Sequence, residues 1–561
     1  MKSDVRCRCC HILAVIMRVI SHLYSVCGQL TVFAKLWCLF VYERFCWIKY
    51  EAKDVFTNNI SSLSFASRIS KSNDAGTYMS LLFVCPSLFI CGYNLGFYKM
   101  NSSQLCHHHK FPDCFLSSND LPYINIETNN ILASNHKAPR NFDRDAYIIS
   151  TCNFSASILF IILGLYTGCL MSNKHGRRDI LVMSTVPHTI GWLCILLFDA
   201  LRAPALFFVG QTINSYGVGL SMITALIYSV EICSRTSISL VPALFSISAI
   251  TGLLFAWTIH IQLEPSTVGV LPDDAPYPTA LPDAMELIPH SEAWVVLGMT
   301  GILIAIISLI ATLNLPETPA WLVQIGKYDE AASSLKELRS ELQNQQVELN
   351  ALKQEELSSE HITTDHRSVL RIFLECLKTQ TSTHFSFTVA LILLSHSSGI
   401  NVIYSYFETS FEYNHSYRSF CTVTFCVVGS NIIMVSWILG HIFSHRVLFI
   451  ASSIVTTIGC MFFTIYLYLG LEKLKANLYA FYILEFIFVG QCIAASQLIP
   501  IFKYVALVPS RLHPYAAFTT LLLAVLAFYI ISLAKPHLDC YMLFTYFSLA
   551  NIILLLVVCS R

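Results

Sequence analysis

From residue 78 onward the chain alternates long apolar runs with polar stretches. A helix needs roughly 20 apolar residues to cross a hydrocarbon core of about 30 Å. Runs of that length lie at 78–98, 147–171, 180–199, 205–231, 241–260, 293–315, 385–408, 420–440, 447–470, 478–500, 515–534 and 541–559. They are longer than a barrel strand, and a helix satisfies its backbone within itself. The pattern therefore predicts an all-α membrane protein of twelve transmembrane helices, six on each side of a polar stretch. The expected organisation is an extension at 1–77, a six-helix half at 78–315, a linker at 316–384 and a second six-helix half at 385–561.

The polar stretches differ in character. Within the linker, 327–357 is rich in Ala, Leu, Lys, Glu and Gln and predicts one or more surface helices, either a solvated connection or part of a gate. The segment 99–146 carries Cys106, His107, His108, His109 and Cys114. Outside a cell the two cysteines suit a disulfide. The histidine triplet offers zinc ligands, but the spacing matches no standard site, and no metal is expected. Residues 260–292 contain Pro and Asp and no Lys or Arg, as an irregular outer loop would. In the extension, apolar residues are interrupted by Arg18, His22, Lys35, Glu43 and Arg44, with Cys7, Cys9 and Cys10 ahead of them. That pattern fits a cytosolic or interfacial segment, open to acylation, better than a cleaved signal peptide.

Composition agrees with the pattern. The chain has 561 residues, 55% hydrophobic and 12% charged, against about 25% charged in soluble domains. Too few charges remain to coat a soluble globule, so the bilayer is the expected surroundings. Lys+Arg and Asp+Glu balance at 35 each, leaving no field that would favour nucleic acid. The 21 cysteines are scattered through apolar runs rather than paired as C-x-x-C. No nucleophile–base pair, ligand cluster or phosphate loop is apparent, so neither an enzyme nor a cofactor is expected.

Orientation follows from the basic residues. With the N-terminus in the cytosol, roughly 25 of them fall inside and about 10 outside. Both termini are then cytosolic. The sequons at Asn101 and Asn414 lie outside and are candidate glycosylation sites, whereas Asn59 would be cytosolic and Asn153 would lie in a helix.

Several short motifs narrow the class. Residues 168–178 read G-C-L-M-S-N-K-H-G-R-R, between the second and third spans. Residues 316–322 read P-E-T-P-A-W-L, followed by Gly326, Lys327, Glu330 and Ala331. The first span carries G-Y-N-L-G at 92–96, and the fourth carries Tyr228 and Glu231. The seventh carries S-S-G-I-N at 397–401, with Tyr404 and Tyr406. Near the tenth lie Pro500 and Pro509-Ser510-Arg511. Taken in order, these resemble the G-x-x-x-D-R-x-G-R-R loop, P-E-S-P-R-W-L segment and flanking motifs of the sugar porters in the major facilitator superfamily. Animal glucose and insect trehalose facilitators are the closest in pattern. The resemblance covers 78–559. It implies two halves rocking about a sugar site near the midplane, with Asn173, Lys174, Gly176, Arg177, Arg178, Glu231, Glu317 and Arg511 at the gate.

The departures predict a thinned gate. Asn173 replaces the signature Asp, Gln211 the usual Arg after Gly210, and Ile238-Ser239 an Arg-Gly pair. Ala506 replaces the Glu before P-S-R, His513-Pro514 replaces its Arg-Gly, and the second-half loop keeps only His445-Arg446. The substrate site is altered too. The family's paired glutamines fall at Ser395 and His396, its tenth-span Trp at Ile501, and its sugar-contacting asparagines at Asn401 and Asn431. Sugar binding is therefore expected from His396, Asn401, Tyr404, Asn431 and Ser395, through groups that pair with hydroxyls. Gly92, Gly96 and Pro500 would permit close packing or helix breaks nearby.

Proton symporters of this family place an Asp in the first span; here Asn94 stands there, and an amide does not titrate. Glu485, two turns into the tenth span, and His396 are the other candidates for a proton. The sequence thus predicts a multi-pass plasma-membrane facilitator of a hexose or disaccharide, with no proton coupling. The alternatives are a non-transporting sugar sensor and a facilitator of another polar solute or organic ion. Oligomeric state is not legible in the sequence.

Overall fold

The computed structural model describes residues 75–108, 140–201, 204–233, 241–263, 291–339, 342–363, 381–396, 445–469, 482–484, 486–488, 490, 498–534 and 540–559. All elements among them are helical. In chain order these are α1 (Ala75–His108), α2 (Arg140–His175), α3 (Arg177–Met183), α4 (Thr185–Ala200), α5 (Pro204–Ile232), α6 (Val241–Leu263) and α7 (Ser291–Leu313). Next come three linker helices, α8 (Pro319–Gln324), α9 (Tyr328–Leu338) and α10 (Leu342–Thr363). The second half contributes α11 (Thr381–His396), α12 (His445–Tyr468), α13 (Ile499–Leu507), a 3₁₀ turn at Ser510–Leu512, α14 (His513–Ala534) and α15 (Cys540–Cys559). Gly76–Arg561 belong to one structural unit.

Among the described residues, seven helical stretches are long and apolar enough to cross a membrane. They begin at Gly76, Cys152, Arg177, Ala205, Val295, Val447 and Ser510. Shorter apolar helices occupy Val241–Ala256, Ser386–His396 and Met542–Val557. These ten overlap ten of the expected runs. The run at 420–440 lies outside the described residues, as does most of 478–500. The linker forms surface helices as its composition implied, with α9 covering 328–338 and α10 covering 342–363.

Two faces explain why these helices are apolar all round. On α2, Leu159, Leu163, Tyr166 and Leu170 are exposed at spacings of four, three and four. On α4 the same spacing exposes Val186, Ile190, Leu193 and Leu197. Each set is one helical stripe, suited to lipid. The opposite faces bury Ile158, Ile161 and Leu165 of α2 and Trp192, Ile195 and Phe198 of α4, with small and polar residues between them that let helices approach closely. Buried hydroxyls there bond within their own helix: Ser172 Oγ donates to the Gly168 carbonyl at 2.6 Å, and Thr224 Oγ1 to that of Leu220 at 2.8 Å. These two hydroxyls are thus satisfied where water is absent.

α1 and α6 cross backbone to backbone. A Cβ placed on Gly92 would sit 1.8 Å from the Ala249 carbonyl oxygen, and one on Gly96 2.6 Å from that of Leu253. Gly252 returns the same fit against Phe89. The expected role of Gly92 and Gly96 in close packing is therefore what the structure shows, inside the first half.

The first half has a neutral polar centre. Asn94 Nδ2 on α1 lies 3.1 Å from His188 Nδ1 on α4. Both residues are buried, as is Asn214 on α5, whose amide interacts with the His188 ring. Room for them comes from glycine: a Cβ at 217 would meet the imidazole at 2.9 Å, and one at 191 the Asn214 amide at 2.6 Å. Nearby in sequence, Asn153 Nδ2 donates to Gln211 Oε1 at 2.7 Å. Asn94 and Gln211, which stand where the family pattern has Asp and Arg, thus both have uncharged partners.

Candidate functional site

The candidate gate is built where α2, α3, α5 and the linker meet. α2 ends at His175, and the chain turns at Gly176 with φ 84° and ψ 163°. Only glycine adopts that backbone region readily. The turn places the first N–H groups of α3, which have no partner inside their own helix, against Glu317. Arg177 N–H donates to Glu317 Oε1 at 3.0 Å, and Arg178 N–H lies 3.2 Å from both carboxylate oxygens. Thr318 N–H adds a bond of 2.9 Å to the same Oε1. Burial pushes the Glu317 carboxyl above its ordinary range, and the N–H groups of Thr318, Arg178 and Arg177 pull it the other way.

Arg177 is the hub. Its Nε and Nη2 donate to Glu231 Oε1 at 3.1 and 2.9 Å. Its Nη1 donates to the Ser172 carbonyl at 2.8 Å and its Nη2 reaches Gln324 Oε1 at 3.4 Å. Both side chains of the Arg177–Glu231 pair are 0% exposed. A buried pair is tolerable only when its remaining donors and acceptors are met. Here Thr318 Oγ1 donates to Glu231 Oε2 at 2.6 Å. Three residues before Glu231 on α5, the Tyr228 hydroxyl donates to the Pro316 carbonyl at 2.8 Å.

The linker ties into the same end. Ser334 Oγ on α9 donates to the Glu317 carbonyl at 2.6 Å. Arg339 joins Glu348 through two bonds of 3.0 Å, the Ile232 carbonyl at 3.0 Å, and Thr77 on α1. From α10, Glu355 Oε1 accepts the Ser510 N–H at 2.8 Å, and Glu356 Oε1 lies 2.5 Å from Arg511 Nη2.

Two further contacts join the halves directly. Asn173 Nδ2 donates to the Tyr515 hydroxyl at 3.4 Å, and His513 Nδ1 lies 3.4 Å from Glu231 Oε1. Two of the departures from the family pattern thus still make contacts across the halves. Asn173 has lost the signature charge yet still bridges to α14, and His513 occupies the place of the missing arginine beside Glu231. Of the expected gating residues, Asn173, Gly176, Arg177, Arg178, Glu231 and Glu317 are brought together. Arg511 joins through the linker carboxylate Glu356, and Lys174 is exposed. Sequence reasoning did not assign Ser172, Thr318, Arg339, Glu355, Glu356 or Tyr515; Ser172 and Thr318 lie inside the quoted motifs without being singled out, and the linker carboxylates lie in no motif.

The expected substrate residues are only partly described. Ser395 and His396 end α11, both buried. Ser395 Oγ donates to the Ile392 carbonyl at 3.0 Å, and His396 Nδ1 lies 3.0 Å from the same oxygen. A carbonyl only accepts, so Nδ1 carries the ring proton and Nε2 is the acceptor. Both side chains thus make their described bonds within their own helix. Asn401, Tyr404 and Asn431 lie outside the described residues, as do Glu485, Cys114 and the sequon at Asn414; at Asn101 and Cys106 only the helix is described. Ile501, where the family has Trp, is buried on α13 among residues of both halves, and its neighbour Phe502 packs edge-on to Phe245 of α6 at 4.8 Å.

Comparison with known proteins fits this architecture. A family model described as sugar (and other) transporter matches residues 79–560. The chain is 24% identical over 237 residues to the Arabidopsis thaliana sugar transporter ERD6-like 6 and 26% identical over 234 residues to the facilitated trehalose transporter Tret1 of Apis mellifera ligustica. Those stretches cover 42% and 41% of this chain and 41% and 39% of the relatives, so the chain spans about two-fifths of the curated relatives it matches. Among solved structures, the proton:xylose symporter XylE bound to 6-bromo-6-deoxy-D-glucose superposes with a TM-score of 0.67 at 15% identity, covering 87% of this chain and 96% of that one. At that identity the likeness establishes the fold alone. The chain belongs to the sugar (and other) transporter family, as a multi-pass membrane protein with the major facilitator fold.

Proposed function

We propose that this protein carries a hexose or disaccharide across the plasma membrane by facilitated diffusion, with alternating access gated at the Arg177–Glu231 network. The observation that carries the reading is that network. It links helices from the N-terminal and C-terminal parts of the chain and the linker at one end, through residues that match the family's signature loops. A carrier needs such a closure, made and broken as the halves rock. The basic residues around it support a cytosolic position for this end, which would put both termini on the same side and Asn101 and Asn414 outside as glycosylation sites.

Facilitation rather than proton coupling is supported by the neutral centre of the first half. Asn94 pairs with His188, and Gln211 pairs with Asn153. Neither pair brings a carboxylate to this centre. On this reading the sugar meets His396 through Nε2, together with Asn401, Tyr404, Asn431 and Ser395.

Uptake of radiolabelled glucose and trehalose in oocytes, with surface expression confirmed, tests the proposal. Saturable uptake that is the same at external pH 5.5 and 7.5 is expected. Uptake no greater than in control cells would contradict it, and sugar binding without flux would indicate a sensor. Loss of one sugar hydrogen bond is worth about 0.5–1.5 kcal/mol. His396→Ala and Asn401→Ala should therefore each raise KM about two- to tenfold. Unchanged KM values in both would remove these residues from the site.

A further inference from the structure

α2 and α14 run antiparallel and touch along most of their length. Asn173 meets Tyr515 at the Arg177 end. Further along, the rings of Tyr166 and Phe518 pack edge-on, 6.0 Å between centres. At the far end Phe154 packs against Phe528 and Tyr529, at 6.1 and 5.7 Å. There the Ser155 and Tyr529 hydroxyls are hydrogen-bonded at 3.0 Å. Ser155 comes 18 residues before Asn173. That is about 27 Å of helix, close to the roughly 30 Å of a hydrocarbon core. The seam between these two helices is therefore closed at both ends.

We propose that Ser155 and Tyr529 form a closure at the end opposite the Arg177 network, that the pair parts whenever the protein opens on that side, and that Tyr529 sets how often it does.

The geometry of rocking requires one contact to yield. When two rigid bodies tilt about a line across the middle of a helix pair, one end separates while the other holds. Asn173–Tyr515 and Ser155–Tyr529 lie on the same two helices, on either side of that middle. Each is therefore kept when the other is lost.

The chemistry of the pair suits a contact that is made and broken. Both residues are half-buried. A serine released from its partner falls back on its own helix, as Ser172 does on the Gly168 carbonyl. A phenol holds its hydroxyl too far out for that. In hydrocarbon an unpaired hydroxyl is costly, so Tyr529 gives up Ser155 only where water replaces it. The bond thus holds the dry, closed seam and is exchanged for water in the open one. Removing it shifts the protein toward opening at this end, by about two- to tenfold for one hydrogen bond.

The inference rests on the transport reading, because only a carrier that rocks has to open this end. The first readout does not need sugar. Spin labels on encoded non-cysteine residues at Leu201 and Ile530, both exposed near this end, report its opening by distance in nanodiscs. Tyr529→Phe keeps the ring against Phe154 and removes only the hydroxyl. It should raise the ratio of long to short distances about two- to tenfold, and Ser155→Ala should do the same. The double variant should match the larger single effect, because both substitutions break one bond. Should Tyr529→Phe fold poorly, Ser155→Ala carries the test alone. Unchanged distances in the single variants, or effects that add in the double, overturn the proposal. The second readout is sugar flux. Tyr529→Phe should lower the half-saturating sugar concentration for entry and raise it for exit, since more carriers then face outward. Equal shifts in both directions would overturn it. Absent flux in every variant, wild type included, would count against sugar transport, and the distances would still decide the closure.

Discussion

Replacing Arg177 by alanine is expected to cost about 3–5 kcal/mol of stability, the usual penalty for stripping one partner from a buried ion pair. Glu231 is 0% exposed and would keep only Thr318 and His513. The Ser172 carbonyl would lose its donor as well. Folded yield and the unfolding midpoint in detergent should both fall sharply, and sugar uptake should drop to the control level. Arg177→Met combined with Glu231→Met removes both charges together. It should recover much of the stability, because a buried pair replaced by apolar groups of similar volume is often neutral. Uptake should not return with it, since Glu231 would no longer meet His513 across the halves. An Arg177→Ala protein as stable as wild type would show that the pair does not hold this end together.

Gly176→Val is the second large effect. The glycine sits at φ 84° and ψ 163°, where a branched residue is strained by about 1–3 kcal/mol. A Cβ there would also lie 2.5 Å from Glu317 Oε2 and 3.1 Å from the Trp321 ring. Glu317 would have to leave the N–H groups of Arg177 and Arg178, so turn strain and loss of the carboxylate's partners act together. A drop in unfolding midpoint several degrees larger than that of Gly326→Val is the expected result. Gly326 has a similar φ of 78° but open space around it, so it isolates the backbone contribution. Equal effects at the two positions would mean that the Glu317 contact contributes little.

The spans were legible because a 20-residue apolar run has few other uses, and α5 and α7 fall close to their expected limits. Helix ends were less so. α1 continues to His108 and α2 begins at Arg140, beyond the apolar runs at 78–98 and 147–171. A helix that leaves the hydrocarbon no longer needs apolar side chains. The third run is divided, with α3 ending at Met183 and α4 starting at Thr185, which the hydropathy of 180–199 gave no sign of.

The gate was legible in its local pieces. Gly176, Arg177 and Glu317 lie in short motifs whose chemistry is carried by neighbours in sequence. What joins the pieces was not, because the partners are far apart along the chain. Asn173 and Tyr515 are 342 residues apart, and Glu231 and His513 are 282 apart. Reading Asn173 and His513 as losses was therefore a statement about charge, and the fold turns both into cross-half contacts. At Ser395 and His396 nothing in the residue pattern signalled the rotamer, and the Ile392 carbonyl takes both side chains.

Passive sugar transport is measured with purified protein reconstituted into liposomes. Labelled glucose or trehalose is supplied outside, with and without a proton gradient. The interior should reach the external sugar concentration and stop there, at the same final level under both conditions. Accumulation above the external concentration driven by the proton gradient, or flux no faster than in protein-free liposomes, would contradict it.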